Sequence, residues 1–248
     1  MPLPAAHQKE KIVLKLFDTT LRDGGNVVGH GFSAELTVSI VRGLLSAGIA
    51  DIELGNCKGI GAYEKLGATK ALSDQAYFQL LRPYAEKGRL GMFVIASLAD
   101  EDAIRAAADA GMYFLRVGAN AGDGKGSLDA IRMVKGAGLY CRYALMKGYV
   151  LSREELAAEA KMLQDAGADC VTIMDSAGTM FPHETAQYVR TLKTALSIPV
   201  GFHGHSNLGS PRPMPWQPWK RVRMRSTAVF WVWPAALATV PQNWPPPL

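Results

Sequence analysis

The chain has 248 residues, of which 48% are hydrophobic and 20% are charged. This length suits one α/β barrel or two smaller domains, and the composition excludes a disordered or fibrous protein. Three scattered cysteines without a Cys-x-x-Cys spacing exclude a disulfide scaffold and favour a reducing cytoplasm. No window is apolar over the ~18 residues that a membrane span needs, so we expect no membrane partner. Residues 1–11 lack the apolar core of a secretory signal and are interpreted as a disordered N-terminal segment.

The net charge of +5 belongs to the last part of the chain. A basic protein often has an anionic partner. Here, however, the 22 acidic residues all lie within residues 1–209 and are balanced there by an equal number of lysines and arginines. The charge of the main body therefore predicts no nucleic-acid partner. The excess basic residues are Arg212, Lys220, Arg221, Arg223 and Arg225.

The first 209 residues alternate β-rich runs with amphipathic helical stretches. The β-rich runs are nearly continuous apolar segments, which is typical of parallel strands buried on both faces. Gly48, Gly111 and Gly167 each fall between a helix and the next strand, where glycine can end a helix. The predicted strands are Ile12–Phe17, Asp51–Leu54, Gly91–Ile95, Tyr113–Val117, Tyr140–Leu145, Cys170–Met174 and Val200–His203. The predicted helices are Ala34–Ala47, Asp74–Glu86, Glu101–Ala110, Leu128–Lys135, Arg153–Ala166 and His183–Leu196.

Seven strands and six helices in strict alternation predict an α/β fold, a TIM (β/α)8 barrel over residues 12–209. Right-handed crossovers between parallel strands curl the chain in one direction, which favours closure into a barrel. An open doubly wound sheet is the alternative, but no GxGxxG motif follows the first strand. The alternation stops after the seventh strand, so the predicted barrel is incomplete.

Polar segments lie at the carboxyl ends of predicted strands, where active sites of such barrels are built. The first strand leads into Thr-Leu-Arg22-Asp23-Gly-Gly, which sets a guanidinium beside a carboxylate. The second ends in Ile-Glu53-Leu-Gly, and a carboxylate in an apolar strand needs a partner, for which Arg22 is the natural candidate. The sixth ends in Asp-Ser176-Ala-Gly, whose hydroxyl can bind a substrate oxygen. Taken singly, each segment also has a purely structural interpretation: a turn ion pair for the first, a solvent-facing strand end for the second and a helix-capping serine for the sixth.

The seventh strand ends in Gly-Phe-His203-Gly-His205-Ser-Asn-Leu-Gly. Residues two apart on a strand point to the same side, so both imidazoles can face one ion. With a free aspartate they would form a metal site, whereas a purely structural histidine pair is the alternative.

These segments together resemble the family of metal-dependent barrel lyases and acyltransferases that includes hydroxymethylglutaryl-CoA lyase, isopropylmalate synthase and 4-hydroxy-2-oxovalerate aldolase. The resemblance covers about residues 12–209 and is closest to the aldolase branch. It implies a divalent metal on Asp23, His203 and His205. It also implies that Arg22, Ser176 and His203 contact a 2-oxoacid, and that Glu53 orients Arg22.

The resemblance implies cleavage of a 4-hydroxy-2-oxoacid, such as 4-hydroxy-2-oxopentanoate, to pyruvate and a small aldehyde. Mn²⁺ is the expected metal, with Mg²⁺, Co²⁺ and Zn²⁺ as alternatives. The metal and Arg22 would stabilise the enolate that forms as the C3–C4 bond breaks. Such aldolases work in aromatic hydrocarbon catabolism, often with an acylating aldehyde dehydrogenase as partner.

One position departs from the aldolase pattern. Aldolases usually carry a histidine three residues after the metal aspartate, as the base that takes the substrate hydroxyl proton. Here that residue is Asn26, which cannot act as a base, so His30 or a metal-bound water is the expected substitute. An acyl-CoA-dependent 2-oxoacid synthase on the same scaffold, of the isopropylmalate or homocitrate type, is therefore the alternative activity.

The segment 210–248 differs in composition from everything before it. It contains all five tryptophans and nine of the fourteen prolines, and it shows no helical or strand period. We do not expect so proline-rich a stretch to supply the missing helix and eighth strand. An inactive truncated product and a basic tail that binds nucleic acid or anionic lipid are two alternative interpretations.

The genetic code offers a different explanation for this tail. When the codons of residues 213–227 are read from their third bases, they permit Asn-Ala-Met-Ala-Ala-Val-Glu-Ala-Gly-Ala-Asp-Ala-Ile-Asp, which describes a helix, a glycine and a strand. The codons of Ala238–Trp244 permit Gly-Asn-Gly-Pro-Thr-Glu-Leu in the same frame, similar to a glycine-rich segment of the family. We therefore interpret 210–248 as a non-native, frameshifted tail, caused by a one-base insertion or two-base loss near codons 209–213.

Overall fold

The computed structural model describes residues 14–26, 28–29, 31–67, 70–205 and 227–231. Strands alternate with helices along the chain, and the predicted α/β class is confirmed. The strands are β1 Leu14–Asp18, β2 Asp51–Leu54, β3 Arg89–Ile95, β4 Phe114–Asn120, β5 Tyr140–Met146, β6 Cys170–Asp175, β7 Val200–Gly204 and β8 Thr227–Trp231. The helices are α1 Ala34–Ser46, α2 Ala62–Leu66, α3 Asp74–Leu81, α4 Glu101–Asp109, α5 Leu128–Gly136, α6 Arg153–Asp165 and α7 Pro182–Ala195.

Each of the seven predicted strands and six predicted helices is present, with ends that move by a few residues. Helix α2 was not predicted, because five residues are too few to show a helical period. A short 3₁₀ turn, Asp23–Asn26, also lies between β1 and α1. Among the described residues, no helix has the length and apolarity needed to cross a membrane.

The strands form a closed barrel in which neighbours follow the order of the chain. Every neighbouring pair is parallel, from β1 with β2 through to β8 with β1. This confirms the predicted TIM barrel. It also brings the carboxyl ends of all the strands to one face of the molecule, so side chains far apart in the sequence meet there.

The eighth strand is the main difference from the sequence interpretation. Thr227–Trp231 lies in the tail, yet its backbone pairs with both neighbours, with Val229 opposite Phe202 of β7 and Phe230 opposite Phe17 of β1. This corrects the expectation that the tail supplies no strand and that the barrel stops at β7. The reason is physical, because Thr, Val, Phe and Trp favour strands and the unpaired edges of β1 and β7 accept any such segment.

Alternation along the strands separates two apolar regions. In β2, Ile52 and Leu54 belong to the main core with the helices. Asp51 and Glu53 alternate with them along the strand, so their side chains point into the barrel. The same alternation in β4 turns Arg116 inward. Smaller apolar clusters fill the barrel interior, and their buried members are Phe17 with Phe114, and Phe93 with Ala144 and Met174.

Candidate metal centre

Three side chains that could bind a metal meet where β1 and β7 end. The Asp23 Oδ2 atom lies 3.2 Å from His205 Nε2 and 3.5 Å from His203 Nε2. The donor atoms of the three residues all lie within 4.8 Å of one another. The structure thus brings together the three residues that the sequence suggested as metal ligands, although about 180 positions separate the aspartate from the histidines.

A tight turn after β1 directs Asp23 into this cluster. The backbone amides of Arg22 and Asp23 both donate to the Thr19 carbonyl, at 3.1 and 2.8 Å. The Asn26 side-chain amide donates to the Asp23 carbonyl at 3.0 Å. Asn26 therefore stabilises the turn, and its own side chain is exposed. His30, the suggested base, lies outside the described residues, so its role stays a prediction.

The backbone of β6 fixes the orientation of His205. Its ring Nδ1 lies 2.9 Å from the Asp175 carbonyl and its backbone amide 3.3 Å from the same oxygen. Because a carbonyl can only accept, Nδ1 carries the proton and Nε2 turns towards Asp23. Metal-binding histidines are commonly held in this way, with the ring nitrogen that does not bind the ion donating to a carbonyl or carboxylate.

Charges and burial around the cluster favour the metal-binding forms of Asp23 and His203. Burial opposes ionisation of Asp23, but Arg22 and the two histidines outweigh it and hold the pKa of this carboxyl well below its usual range. Burial lowers the pKa of His203 to about 4, and the Arg116 charge acts in the same direction. The hydrogen bond to Asp23 raises the pKa of His205. An ionised carboxylate beside a neutral imidazole is a ligand set that divalent transition metals accept.

The low pKa of His203 predicts an acid-sensitive metal-free protein. Between the ordinary value of 6.5 and about 4, the unfolded chain binds a proton on His203 that the folded chain does not. The contribution of His203 to the free energy of unfolding should therefore be fully present above pH 6.5. It should fall by about 3 kcal/mol as the pH is lowered to 4. Urea unfolding in EDTA at several pH values measures the effect. His203→Gln should flatten the dependence of the free energy of unfolding on pH, whereas substitution of the exposed His183 by Gln should not. The same pH dependence in wild type and His203→Gln would contradict the assignment.

A buried ion-pair cluster adjoins the three candidate ligands. Glu53 is fully buried and accepts from Arg22 Nε at 2.5 Å, which confirms the contact that the sequence suggested. Arg22 Nη1 also donates to Asp23 Oδ1 at 2.7 Å. Burial would raise the pKa of Glu53, but the charges of Arg116 and Arg22 lower it below its ordinary value. The Nη2 atom of Arg22 is buried and has no hydrogen-bond partner among the described residues, so it is available to a ligand.

Arg116 is the residue of this cluster that the sequence analysis missed. It donates to both oxygens of Glu53, from Nε at 2.6 Å and from Nη2 at 2.7 Å, and its Nη1 lies 3.5 Å from His203 Nδ1. A signal was present, because an arginine inside the apolar run Phe-Leu-Arg-Val of β4 needs a buried partner just as Glu53 does.

Ser176 follows β6 on the same face of the barrel. Its hydroxyl accepts from the backbone amide of Lys147 at 3.0 Å. Lys147 has a φ of 54°, the one positive φ outside glycine in the part of the chain that the structure describes. The carboxylate of Asp175 accepts from the amides of Thr179 and Met180, at 3.1 and 2.8 Å, so it closes the turn after β6.

Comparison with known families and curated proteins gives consistent matches. The HMGL-like family matches residues 13–211. Proteins named 4-hydroxy-2-oxovalerate aldolase from Roseiflexus sp. (strain RS-1) and Chloroflexus aggregans are each 34% identical over 195 residues, or 79% of this chain. One from Geobacillus genomosp. 3 is 31% identical over 199 residues, or 80% of the chain. The chain spans only 57–59% of the length of these relatives.

Solved structures show the same fold at low sequence identity. The carboxyl transferase domain of Rhizobium etli pyruvate carboxylase has a TM-score of 0.68 at 17% identity, covering 89% of this chain and 40% of that one. The same domain with oxalate has a TM-score of 0.69, at the same identity and coverage. These likenesses establish the barrel architecture alone.

Proposed function

This chain belongs to the HMGL-like family, and on that premise we propose that it is a divalent-metal-dependent aldolase that cleaves a 4-hydroxy-2-oxoacid to pyruvate and a small aldehyde. The observation that carries the proposal is the convergence of Asp23, His203 and His205 beside a guanidinium with a free buried N–H. The similarity to proteins named 4-hydroxy-2-oxovalerate aldolase supports it.

The donor set fits a metal of the Mn²⁺ type. One carboxylate and two imidazoles suit first-row divalent ions and leave coordination positions for a substrate. When bound, the ion would supply Lewis acidity that stabilises negative charge on the ketone oxygen of a 2-oxoacid. Mn²⁺ is the proposed ion, and Mg²⁺, Co²⁺ and Zn²⁺ are its competitors.

Side chains of the protein are assigned the remaining roles in substrate binding and proton transfer. Cleavage removes a proton from the C4 hydroxyl, breaks the C3–C4 bond to release the aldehyde, and leaves pyruvate enolate, which takes a proton at C3. We assign Arg22, through its free Nη2, to the developing enolate or the substrate carboxylate, because a fixed donor at that charge lowers the barrier. Glu53 orients Arg22, and Ser176 is assigned to a substrate oxygen. His30 is the proposed base.

The tail bears on the same proposal. We propose that residues 210–248 come from a shifted reading frame and that the native chain continues as in its relatives. The family match ends at residue 211, close to the inferred shift, and the relatives are considerably longer than this chain. An acylating aldehyde dehydrogenase partner and a cytoplasmic location belong to the intact protein in this proposal. Resequencing codons 205–215 tests it, and an intact frame there would contradict it.

The decisive assay is pyruvate release from 4-hydroxy-2-oxopentanoate with Mn²⁺, on this chain and on the frame-corrected chain side by side. We expect activity that is lost in EDTA and restored by Mn²⁺, and that is much greater in the corrected chain. If both chains fold and bind Mn²⁺ but release no pyruvate, the aldolase proposal fails. Consumption of acetyl-CoA with a 2-oxoacid would then identify the synthase alternative. Salt-sensitive binding to DNA or anionic vesicles that is lost on removal of 210–248 would instead identify the tail as a basic binding segment.

A further inference from the structure

We propose that Arg116 is a positioning residue that holds Glu53 so that Arg22 presents its free Nη2 to the bound oxyacid. This inference rests on the proposed function, because it concerns how that site holds its substrate. Arg116 comes from β4, two strands along the barrel from the β2 strand that carries Glu53, whereas Arg22 comes from the turn after β1. The argument depends on how the two oxygens of Glu53 are shared.

Each oxygen of Glu53 has a defined donor. Oε2 accepts from Arg116 Nε at 2.6 Å, and Oε1 accepts from both Arg116 Nη2 and Arg22 Nε, at 2.7 and 2.5 Å. Arg116 thus grips the carboxylate with two parallel N–H groups, and Arg22 is left with a single contact at Oε1. Because Arg116 occupies Oε2, Arg22 does not form its own two-point pair with Glu53.

The way in which Arg22 and Arg116 share Glu53 determines which nitrogen of Arg22 can donate to a ligand. Its Nε donates to Glu53 and its Nη1 to Asp23, so Nη2 is the nitrogen that has no partner among the groups described. Without Arg116, Glu53 would have an unused oxygen in a buried place. Arg22 would then rotate to satisfy both oxygens, because leaving a buried carboxylate oxygen unpaired costs more than losing a ligand contact.

An aromatic ring supports both guanidiniums in the barrel. The ring of Phe93 lies 4.8 Å from Arg22 Cζ and 5.3 Å from Arg116 Cζ. Gly118 of β4 makes room for this ring, since a Cβ there would lie 2.4 Å from Phe93 Cζ. The ring therefore restricts where the planar groups can move, and the position of Arg116 is set from two sides.

Arg142 offers a matched control for a merely structural role. It is also a buried barrel arginine, it pairs with Asp51 at 2.5 Å, and its guanidinium lies over Phe17 and Phe114 at 4.5 and 4.7 Å. Its partner is a different carboxylate, so its replacement removes a buried charge from the barrel without touching Glu53. Any effect that both substitutions share is an effect on packing.

The experiment measures binding rather than turnover, so it does not depend on knowing the substrate. Oxalate, a planar analogue of pyruvate enolate, is titrated calorimetrically into the full chain loaded with Mn²⁺, and Mn²⁺ is titrated into the metal-free chain. We expect Arg116→Met to weaken oxalate binding about 30-fold, as for a lost charged hydrogen bond. Arg116→Lys should weaken it by about 10-fold, because lysine restores the charge without the two-point grip. Arg142→Met, which also removes a buried positive charge, should leave it unchanged.

The Mn²⁺ titration distinguishes a role of Arg116 in positioning Arg22 from a general loss of structure at the site. Arg116→Met should keep or increase Mn²⁺ affinity, because a positive charge near the ion has been removed. Unchanged oxalate affinity in Arg116→Met overturns the proposal. Equal loss of Mn²⁺ and oxalate binding in Arg116→Met also overturns it, since that is the result of a structural role.

If the wild type binds oxalate but cleaves no 4-hydroxy-2-oxoacid, the aldolase proposal fails while the oxalate comparison still decides the role of Arg116. If the wild type binds no oxalate, both proposals fail.

Discussion

Asp23→Asn should weaken Mn²⁺ binding by more than about 100-fold, since removing even a group that only orients a metal ligand costs 10- to 100-fold. The carboxylate contacts both imidazoles, at 3.2 and 3.5 Å, and is the one negatively charged group among the three candidate ligands. Asparagine keeps the shape of the side chain but removes the negative charge that offsets the dehydration of the ion. Pyruvate release from a 4-hydroxy-2-oxoacid should be lost with the metal.

Calorimetric titration of Mn²⁺ into the metal-free protein measures this effect directly. Asp18→Asn is the matched control, because Asp18 ends β1 just before the turn that carries Asp23, but its carboxylate accepts from the amide of Thr20 at 3.0 Å and is not one of the three candidate ligands. We expect the control to keep its affinity for Mn²⁺. Wild-type affinity in Asp23→Asn would place the metal elsewhere and remove the basis of the proposed function.

Glu53→Gln should lower the free energy of unfolding by about 3–5 kcal/mol, the usual cost of leaving a buried charge without its partner. Glu53 is fully buried and is shared by Arg22 and Arg116. Glutamine would leave two guanidiniums close together with only the Asp23 carboxylate to balance them. Its amide would also point N–H groups at an arginine donor.

The pH dependence of the wild type should show the same interaction. The folded-state pKa of Glu53 lies below its ordinary value of 4.5. The stabilisation from its ionised form is therefore present above pH 4.5 and is lost as the pH falls through the folded value. Urea unfolding at pH 7 and at lower pH measures it in wild type and Glu53→Gln.

Glu159→Gln is the control for the loss of a carboxylate alone. Glu159 accepts from the backbone amides of Gly122 and Gly124, at 2.7 and 2.8 Å, and its substitution should cost only about 1 kcal/mol. If Glu53→Gln is no more destabilising than Glu159→Gln, then the buried cluster is not the source of stability that its geometry indicates.

The barrel could be predicted because its signals are local. Parallel strands covered on both faces produce apolar runs, helices between them produce amphipathic stretches, and a strict alternation of the two leaves few topologies. Asp23, His203 and His205 could be named because the motifs that carry them resemble those of a known family, and barrel geometry is consistent with that assignment. Strand ends meet on one face of a barrel, so polar residues at those ends are neighbours whatever their distance in the chain.

Other features depended on contacts between distant segments. Arg116 shows no local pattern that names its partner, because the pairing with Glu53 follows from the register of β2, β3 and β4. That Glu53 is shared by two arginines, and that Nη2 of Arg22 has no partner among the described residues, follows only from the positions of all three side chains. The strand at Thr227–Trp231 likewise depends on the open edges of β1 and β7, which no sequence window contains.

Periodicity in the sequence alone was thus enough for the fold class and the order of the elements, and the resemblance of the strand-end motifs to a known family named the residues of the candidate metal centre. Those properties depend on which side chains recur at short spacing, and short spacing is visible in a chain. The tertiary structure decided which buried charges pair and which donor stays free. Buried charges must find partners wherever the fold brings them, and only the three-dimensional arrangement of the strands determines which partners lie within reach.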